Sequence, residues 1–327
     1  MSAMLTSTRV IKIDPRPTAY DSVAEATFAR EDEGTIVETI EPGPWQPVRP
    51  EPVAAPPRPS FVDGVERRDA RVSAEGDGVP LPGLLVSYAA GAMCIGREPA
   101  LRHVSVQRRL IIVKGARPPR IAIDAANGPL EYLPAHNAEE DADSLDRTLK
   151  DLRASLEAEV VRALIAEGAE MIVVDGRLPP LRHEAALGLI KTPHRLPVSL
   201  PEHLDVLARL RTGERSPVFV RMRSDRAYYS WFVCLHTPGP LDLAFSGLAL
   251  LEMDDGTPRA TALRIADVTA TTLPAYAPSA YRDPRAPQNL IPVGQLEREL
   301  RHRLGDPELL RRLLLQAFTK EVPQWAP

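Results

Sequence analysis

Cysteine is nearly absent from this chain: 2 occur in 327 residues, Cys94 and Cys234, each inside an apolar run. Two such residues favour small buried thiols over a disulfide or a metal ligand, and neither is given a role. No apolar run approaches the roughly 18 residues that a membrane-spanning helix needs, and the first residues lack the basic, apolar and small-residue order of a secretory signal. A soluble, cytoplasmic protein with no membrane partner is the expectation. No repeat of roughly 20 to 50 residues is visible, which excludes solenoids and propellers. There is no Gly-rich phosphate loop and no serine nucleophile elbow, and His136, His194 and His236 have no metal-ligand spacing with any other His or Cys. ATP hydrolysis, if needed, must come from a partner.

What is present is enough apolar side chain, 44%, to bury a sizeable core in one large domain or two ordinary ones. The net charge of −4 is unevenly spread. Residues 21 to 41 hold seven acids against Arg30 alone, so the rest of the chain is mildly basic and compatible with a DNA partner.

Prolines crowd 41 to 59, "EPGPWQPVRPEPVAAPPRP", where polyproline geometry is favoured; residues 1–59 read as an acidic, Pro-rich arm or strap, and 60–327 as the domain proper. From Ser60 three strand-like runs follow, "SFVDGVERRDARVS", "GLLVSYAAGAMCI" and "SVQRRLIIVKG", an antiparallel meander. Residues 141 to 168 contain neither Pro nor Gly before Gly168 and predict a long helix, with Ser144 as N-cap and Gly168 as its stop. "AEMIVVDG" then reads as a strand buried on both faces, since no polar residue alternates in it. Beyond lie a helix over 201 to 211, strands at "PVFVRMRS", "YYSWFVCLH", "LDLAFSGLALLEM" and "TALRIADV", and one last helical stretch over 293 to 318.

Two apolar strands thus run into the same dipeptide, Asp63-Gly64 and Asp175-Gly176. An aspartate at a strand end is held rigidly, and a following glycine permits a sharp turn, so open sheets expose functional groups there. Either aspartate alone reads equally well as a turn residue. On the helix between them Glu157 shares a 3.6-residue face with Val160, Val161 and Leu164, whereas Glu159 shares its face with Arg162. Glu157 therefore points to the sheet or stands at the stripe's rim, and Glu159 points to solvent. A carboxylate on a buried face is costly unless paired or holding a cation. Three such oxygen ligands suit Mg²⁺ or Mn²⁺, and a pair of ions would activate water and stabilise the leaving oxygen in phosphodiester cleavage.

The order of first-strand Asp, helix Glu and fourth-strand Asp resembles the ribonuclease-H-like (PIWI-like) fold: an α/β mixed sheet flanked by helices, here with additional antiparallel strands and a C-terminal helix. Within it the chain resembles the NurA family of DNA-end-processing nucleases, through "FVDGVERR", "LRASLEAEVV", "MIVVDGRL", "LGLIKTPHR" and "PQNLIPVGQLERELRH", over about residues 60 to 318. The resemblance implies a manganese- or magnesium-dependent deoxyribonuclease, exonuclease on ends and endonuclease on single strands. It also implies a homodimer that works with the hexameric ATPase HerA in break resection and repair. Asp63, Glu157 and Asp175 would be metal ligands. The family has Ser after each Asp-Gly, where this chain has Val65 and Arg177, and a His near the C-terminus, where Glu297 or the more distant His302 would serve.

Lys191 and Arg195 read as phosphate-positioning cations or plain surface charges. Arg221 and Arg223, alternating on one strand face, read as a DNA-backbone pair or a solvated face. Tyr228, Tyr229 and Trp231 read as core or as a base-stacking platform. Two competing readings share these residues: a nuclease-fold scaffold that has lost catalysis and only docks an ATPase or DNA, and an RNA-cutting, Argonaute-like nuclease.

Overall fold

The computed structural model describes residues 11–15, 35–53, 56–76, 79–114, 120–125, 128–191, 201–223, 225–239, 242, 245–279 and 287–320. Twelve strands share one mixed sheet. They are β1 (Ile11–Ile13), β2 (Thr35–Thr39), β3 (Pro59–Gly76), β4 (Val79–Cys94), β5 (Ala100–Ile112), β6 (Ile121–Ile123), β7 (Leu130–Ala135), β8 (Met171–Asp175), β9 (Ala186–Ile190), β10 (Phe219–Arg223), β11 (Arg226–Cys234) and β12 (Leu248–Asp254). Among the described residues five α-helices flank it: α1 (Asp143–Ala166), α2 (Pro201–Arg209), α3 (Arg259–Thr272), α4 (Ile291–Leu304) and α5 (Pro307–Lys320). None of the described helices is long and apolar enough to cross a membrane.

The centre runs β5-β4-β3-β8-β9, followed by β12-β11-β10-β2 on one side and β7-β6 on the other. β8 is parallel to β3 and β9 parallel to β8, while β3, β4 and β5 form the expected antiparallel meander. Strand side chains alternate between faces. Val62, Ile172 and Val174 therefore pack with Leu156, Val160, Val161 and Leu164 of α1 on one face. Phe61, Met171 and Val173 pack with Ala262 and Ala266 of α3 and Val293 of α4 on the other, and Val65 packs there against Leu296 and Leu300. The sheet is covered on both sides, which is why β8 reads as continuously apolar.

α1 ends as its sequence predicts: Gly168 takes φ +77°, and Ala169 N–H reaches back to Leu164 O at 3.0 Å. Its start differs. Asp141, not Ser144, caps the first turn, accepting Ser144 N–H on Oδ1 at 2.8 Å, while Ser144 lies inside the helix with its hydroxyl bonded to Asp141 O. "TALRIADV" is part of α3 rather than a strand. Its β-branched content favours extended chain locally, but Ala262, Ala266, Thr269 and Ala270 recur at helical spacing and are buried. β12 begins only at Leu248. The last helical stretch is two helices, because Gly305 at φ +84° breaks it.

The Pro-rich stretch runs along the body as a strap. Arg215, only 2% exposed, donates from both terminal nitrogens to the Glu41 carboxylate (2.6 and 2.8 Å) and from Nε to Asp267 (2.7 Å). Val48 forms an isolated bridge with Arg215, and Trp45 stacks on His203 with centroids 4.2 Å apart. The arm before residue 60 also supplies β1, paired with β3, and β2, paired with β10.

Candidate metal centre

β8 stops at Asp175 while β3, its parallel neighbour, continues. The last pair between them is Val62 with Val174, so the next residues, Asp63 and Asp175, stand side by side. Alternation puts both on the α4 face. From that face Glu297, on the buried stripe of α4 with Val293, Leu296 and Leu300, brings a third carboxylate. One oxygen from each of Asp63, Asp175 and Glu297 lies within 4.8 Å of the others. His302, five residues further along α4, is exposed on another face. Of the two C-terminal candidates, Glu297 is the one brought to the aspartates.

Asp63 Oδ1 accepts the N–H of Gly64 at 2.8 Å, but Oδ2 is buried and has no hydrogen-bond partner. Burial pushes the Asp63 carboxyl well above the usual carboxylate range, and the Asp175 charge pushes it further; the Lys191 ammonium opposes both. Asp175 is raised by burial and held back by Lys191. Lys191 Nζ donates to Asp175 Oδ2 at 2.5 Å and to Asn289 Oδ1 at 2.8 Å. Asn289 is fully buried just ahead of α4, so it ties the lysine to the same wall that carries Glu297.

Glu157 reaches the site from the opposite face. It is 6% exposed, whereas Glu159 points to solvent, as the helical period predicts. Its Oε1 accepts Arg153 Nη1 at 3.0 Å, and Arg153 Nη1 lies 3.4 Å from Gly64 O. Both side chains lie against the bare Cα of Gly64: a Cβ there would overlap Glu157 Oε1 and come within 2.9 Å of Arg153 Cγ. The glycine is thus a window through β3. Glu157 is not one of the three clustered carboxylates, yet its charge raises Asp63, and burial raises its own carboxyl to about 7 against the pull of Arg153. Gly176 serves a different end, a turn at φ +97° with nothing near its missing Cβ. The two Asp-Gly pairs look alike in sequence and differ in physical cause.

The turn after Asp175 is fixed from behind. Leu178 donates its backbone N–H to Glu252 Oε1 at 2.6 Å. Glu252 is fully buried and ion-paired to Arg221, also fully buried, and to Arg223 at 3.0 Å. A DNA-backbone role for Arg221 is corrected by that placement, since a guanidinium with no exposure cannot meet a phosphate, and Arg223, 12% exposed, is engaged by the same carboxylate. The missed signal is Glu252 itself: a lone acid in "LALLEM" must find a cation when the strand is buried. Tyr228 and Trp231 are buried core residues, and Trp231 Nε1 donates to Thr269 Oγ1 at 3.0 Å. Arg195 falls outside the described residues. Both cysteines are free, and burial pushes the Cys234 thiol up to about 11, away from reactivity. A cleft of about 580 Å³ lies at the other end of β8, around Met171, His183 and Arg264, far from the carboxylates along the strand.

Three crowded carboxylates, one with an orphaned buried oxygen, form a hard-oxygen set with charge to neutralise, which fits Mg²⁺ or Mn²⁺ better than a soft metal. Neither a protein-family profile nor a curated protein sequence matches this chain.

Proposed function

We propose that this chain is a divalent-metal-dependent DNA nuclease of the NurA kind, acting on DNA ends and single strands. The observation that carries the proposal is the unpartnered, buried Oδ2 of Asp63 beside Asp175 and Glu297, since an ionised carboxylate with one buried oxygen left without a donor is costly in that setting unless a cation completes it. The strand order β5-β4-β3-β8-β9, with β4 alone antiparallel to its four companions, supports a ribonuclease-H-like core with the first aspartate on its central strand.

Asp63, Asp175 and Glu297 would hold the ion. A bound Mn²⁺ or Mg²⁺ supplies Lewis acidity toward a phosphodiester and lowers the pKa of its water. Lys191 orients Asp175 and keeps a positive charge at the mouth of the cluster, where a phosphate would approach; two of its three N–H donors are used by Asp175 and Asn289. Glu252 fixes the backbone that follows Asp175. In this reading the energy for moving along DNA comes from a hexameric HerA-type ATPase, docked on a homodimer of this chain.

The test is cleavage of single- and double-stranded DNA, with RNA of the same sequence alongside, in Mn²⁺, in Mg²⁺ and in EDTA. Metal-dependent loss of DNA with RNA spared is the expected result. Preference for RNA would favour the Argonaute-like reading, and no cleavage of either in any metal would leave a docking scaffold.

A further inference from the structure

We propose that Arg67 is a positioning residue for the metal centre: it fastens the end of α4 to β3 and so sets how far Glu297 stands from Asp63. The inference rests on the metal-nuclease reading of those carboxylates and adds to it a residue that lies outside their cluster.

Asp63, Val65 and Arg67 alternate along β3, so all three face α4. Opposite them Glu297, Leu300 and Leu304 recur at the spacing of one buried helical stripe. At about 3.3 Å per strand residue and about 1.5 Å per helical residue, Asp63 to Arg67 covers about 13 Å and Glu297 to Leu304 about 10 Å, so the two rows run nearly in step. Each level has its own chemistry. Asp63 and Glu297 bring oxygens within 4.8 Å of each other, and Val65 packs in one cluster with Leu296, Leu300 and Leu304. Arg67 donates from Nη1 to Gly305 O at 2.6 Å and from Nη2 to Leu304 O at 3.1 Å, and Arg108 Nη2 donates to Leu304 O at 3.2 Å.

The apolar middle of this contact holds α4 on the sheet without fixing its position along its own axis, because burial is non-directional. The hydrogen bonds at its end do fix it. The last carbonyls of a helix lack intrahelical donors, and a guanidinium there also meets the negative end of the helix dipole. Arg67 is itself held, since its Nε donates to Asp69 Oδ1 at 2.7 Å. Asp69 is the extra residue of a bulge in β3, where pairing with β4 passes from Arg68 to Ala70. Its other oxygen accepts from Ser87 Oγ and, at 2.8 Å, from Tyr132 Oη. Ser87 and Tyr132 are fully buried, so Arg67 is aimed at the end of α4 from inside the core.

The experiment measures the Mn²⁺ dissociation constant of the full-length, metal-stripped protein, by electron paramagnetic resonance of the free ion during titration, together with the melting temperature in EDTA. Arg67→Met, which keeps the apolar stem and removes the donors, should weaken Mn²⁺ binding by about 10-fold or more, as for other residues that orient metal ligands. In a Glu297→Gln background the same change should alter Mn²⁺ affinity by under about twofold, because the carboxylate through which it acts is gone, while the drop in melting temperature should match in both backgrounds. A merely structural arginine would lower the melting temperature and leave both affinities alone. Arg67→Lys, which keeps the charge but loses the planar fork, is the second variant if Arg67→Met does not fold, and should also weaken Mn²⁺ binding only where Glu297 is intact. Unchanged Mn²⁺ affinity in the folded variants would overturn the proposal, as would an equal loss with and without the Glu297 carboxylate. A wild type that binds no Mn²⁺ would overturn the metal reading, and the proposal with it.

Discussion

Leu178 and Glu252, 74 residues apart in sequence, are joined by a 2.6 Å hydrogen bond from the backbone N–H of one to the buried carboxylate of the other. The same carboxylate neutralises Arg221 and Arg223. Glu252→Ala should cost about 3 to 5 kcal/mol, because it strands Arg221 as an uncompensated buried charge. Glu252→Gln keeps an acceptor for Leu178 and should lose less. Urea denaturation midpoints at constant m-value check both.

Removing a ligand should separate activity from stability. Asp63→Ala, Asp175→Ala and Glu297→Gln are each expected to lower Mn²⁺-dependent cleavage by at least about 100-fold, roughly 3 kcal/mol of transition-state stabilisation. In EDTA the Asp63→Ala protein should melt no lower than wild type, since the change removes a buried carboxylate that repels its neighbours. Glu159→Gln and His302→Ala, both exposed, should stay within about threefold of wild type, under about 1 kcal/mol. Wild-type cleavage by either aspartate variant would reject the site.

Metal-free protein should lose stability as pH rises. Glu157 is held at about 7 in the folded chain against an ordinary 4.5, so the folded state binds its proton more tightly. That contribution is fully present below 4.5 and is lost as pH passes through about 7, on the order of 3 kcal/mol from this one group. Asp63 and Asp175 are shifted in the same direction and add to the slope. In EDTA, Glu157→Gln should flatten the dependence of the melting temperature between pH 5 and pH 7.5. An unchanged slope would show that Glu157 titrates normally.

The two glycines should fail differently. Gly64→Ala intrudes on Glu157 and Arg153 and should cost about 1 to 3 kcal/mol as overpacking, part of which Glu157→Asp restores by shortening the side chain. Gly176→Ala meets open space and is strained only by its positive φ, so no change at Glu157 should rescue it. Double-mutant cycles on thermal stability separate the cases.

Much of the centre was legible because two periods suffice to place it. The 3.6-residue period separated Glu157 from Glu159, and apolar runs located Asp63 and Asp175 at the same sheet level. Which face each acid shares was not legible, since strand register decides it: Glu157 comes from the α1 side and Glu297 from the α4 side. The α3 segment was misread because Thr, Ile and Val bias the local chain toward strand while small residues at helical spacing decide its packing. Arg221 and Arg223 showed the alternation of an outer face, but their partner, Glu252, arrives on β12, across the intervening β11.

The strand β2 is made early and used late. Its only described partner, β10, begins at Phe219, and the strap that follows β2 is anchored on Arg215. At about 5 to 20 residues per second, the ribosome adds the intervening segment over roughly 10 to 40 s, during which Thr35 to Glu41 has no edge to join. Loop-closure entropy must then be overcome across most of the chain before the last edge of the sheet zips up. The run of acids before and within this segment keeps it charged through that interval, a setting in which an unpaired strand is least prone to pair with another chain.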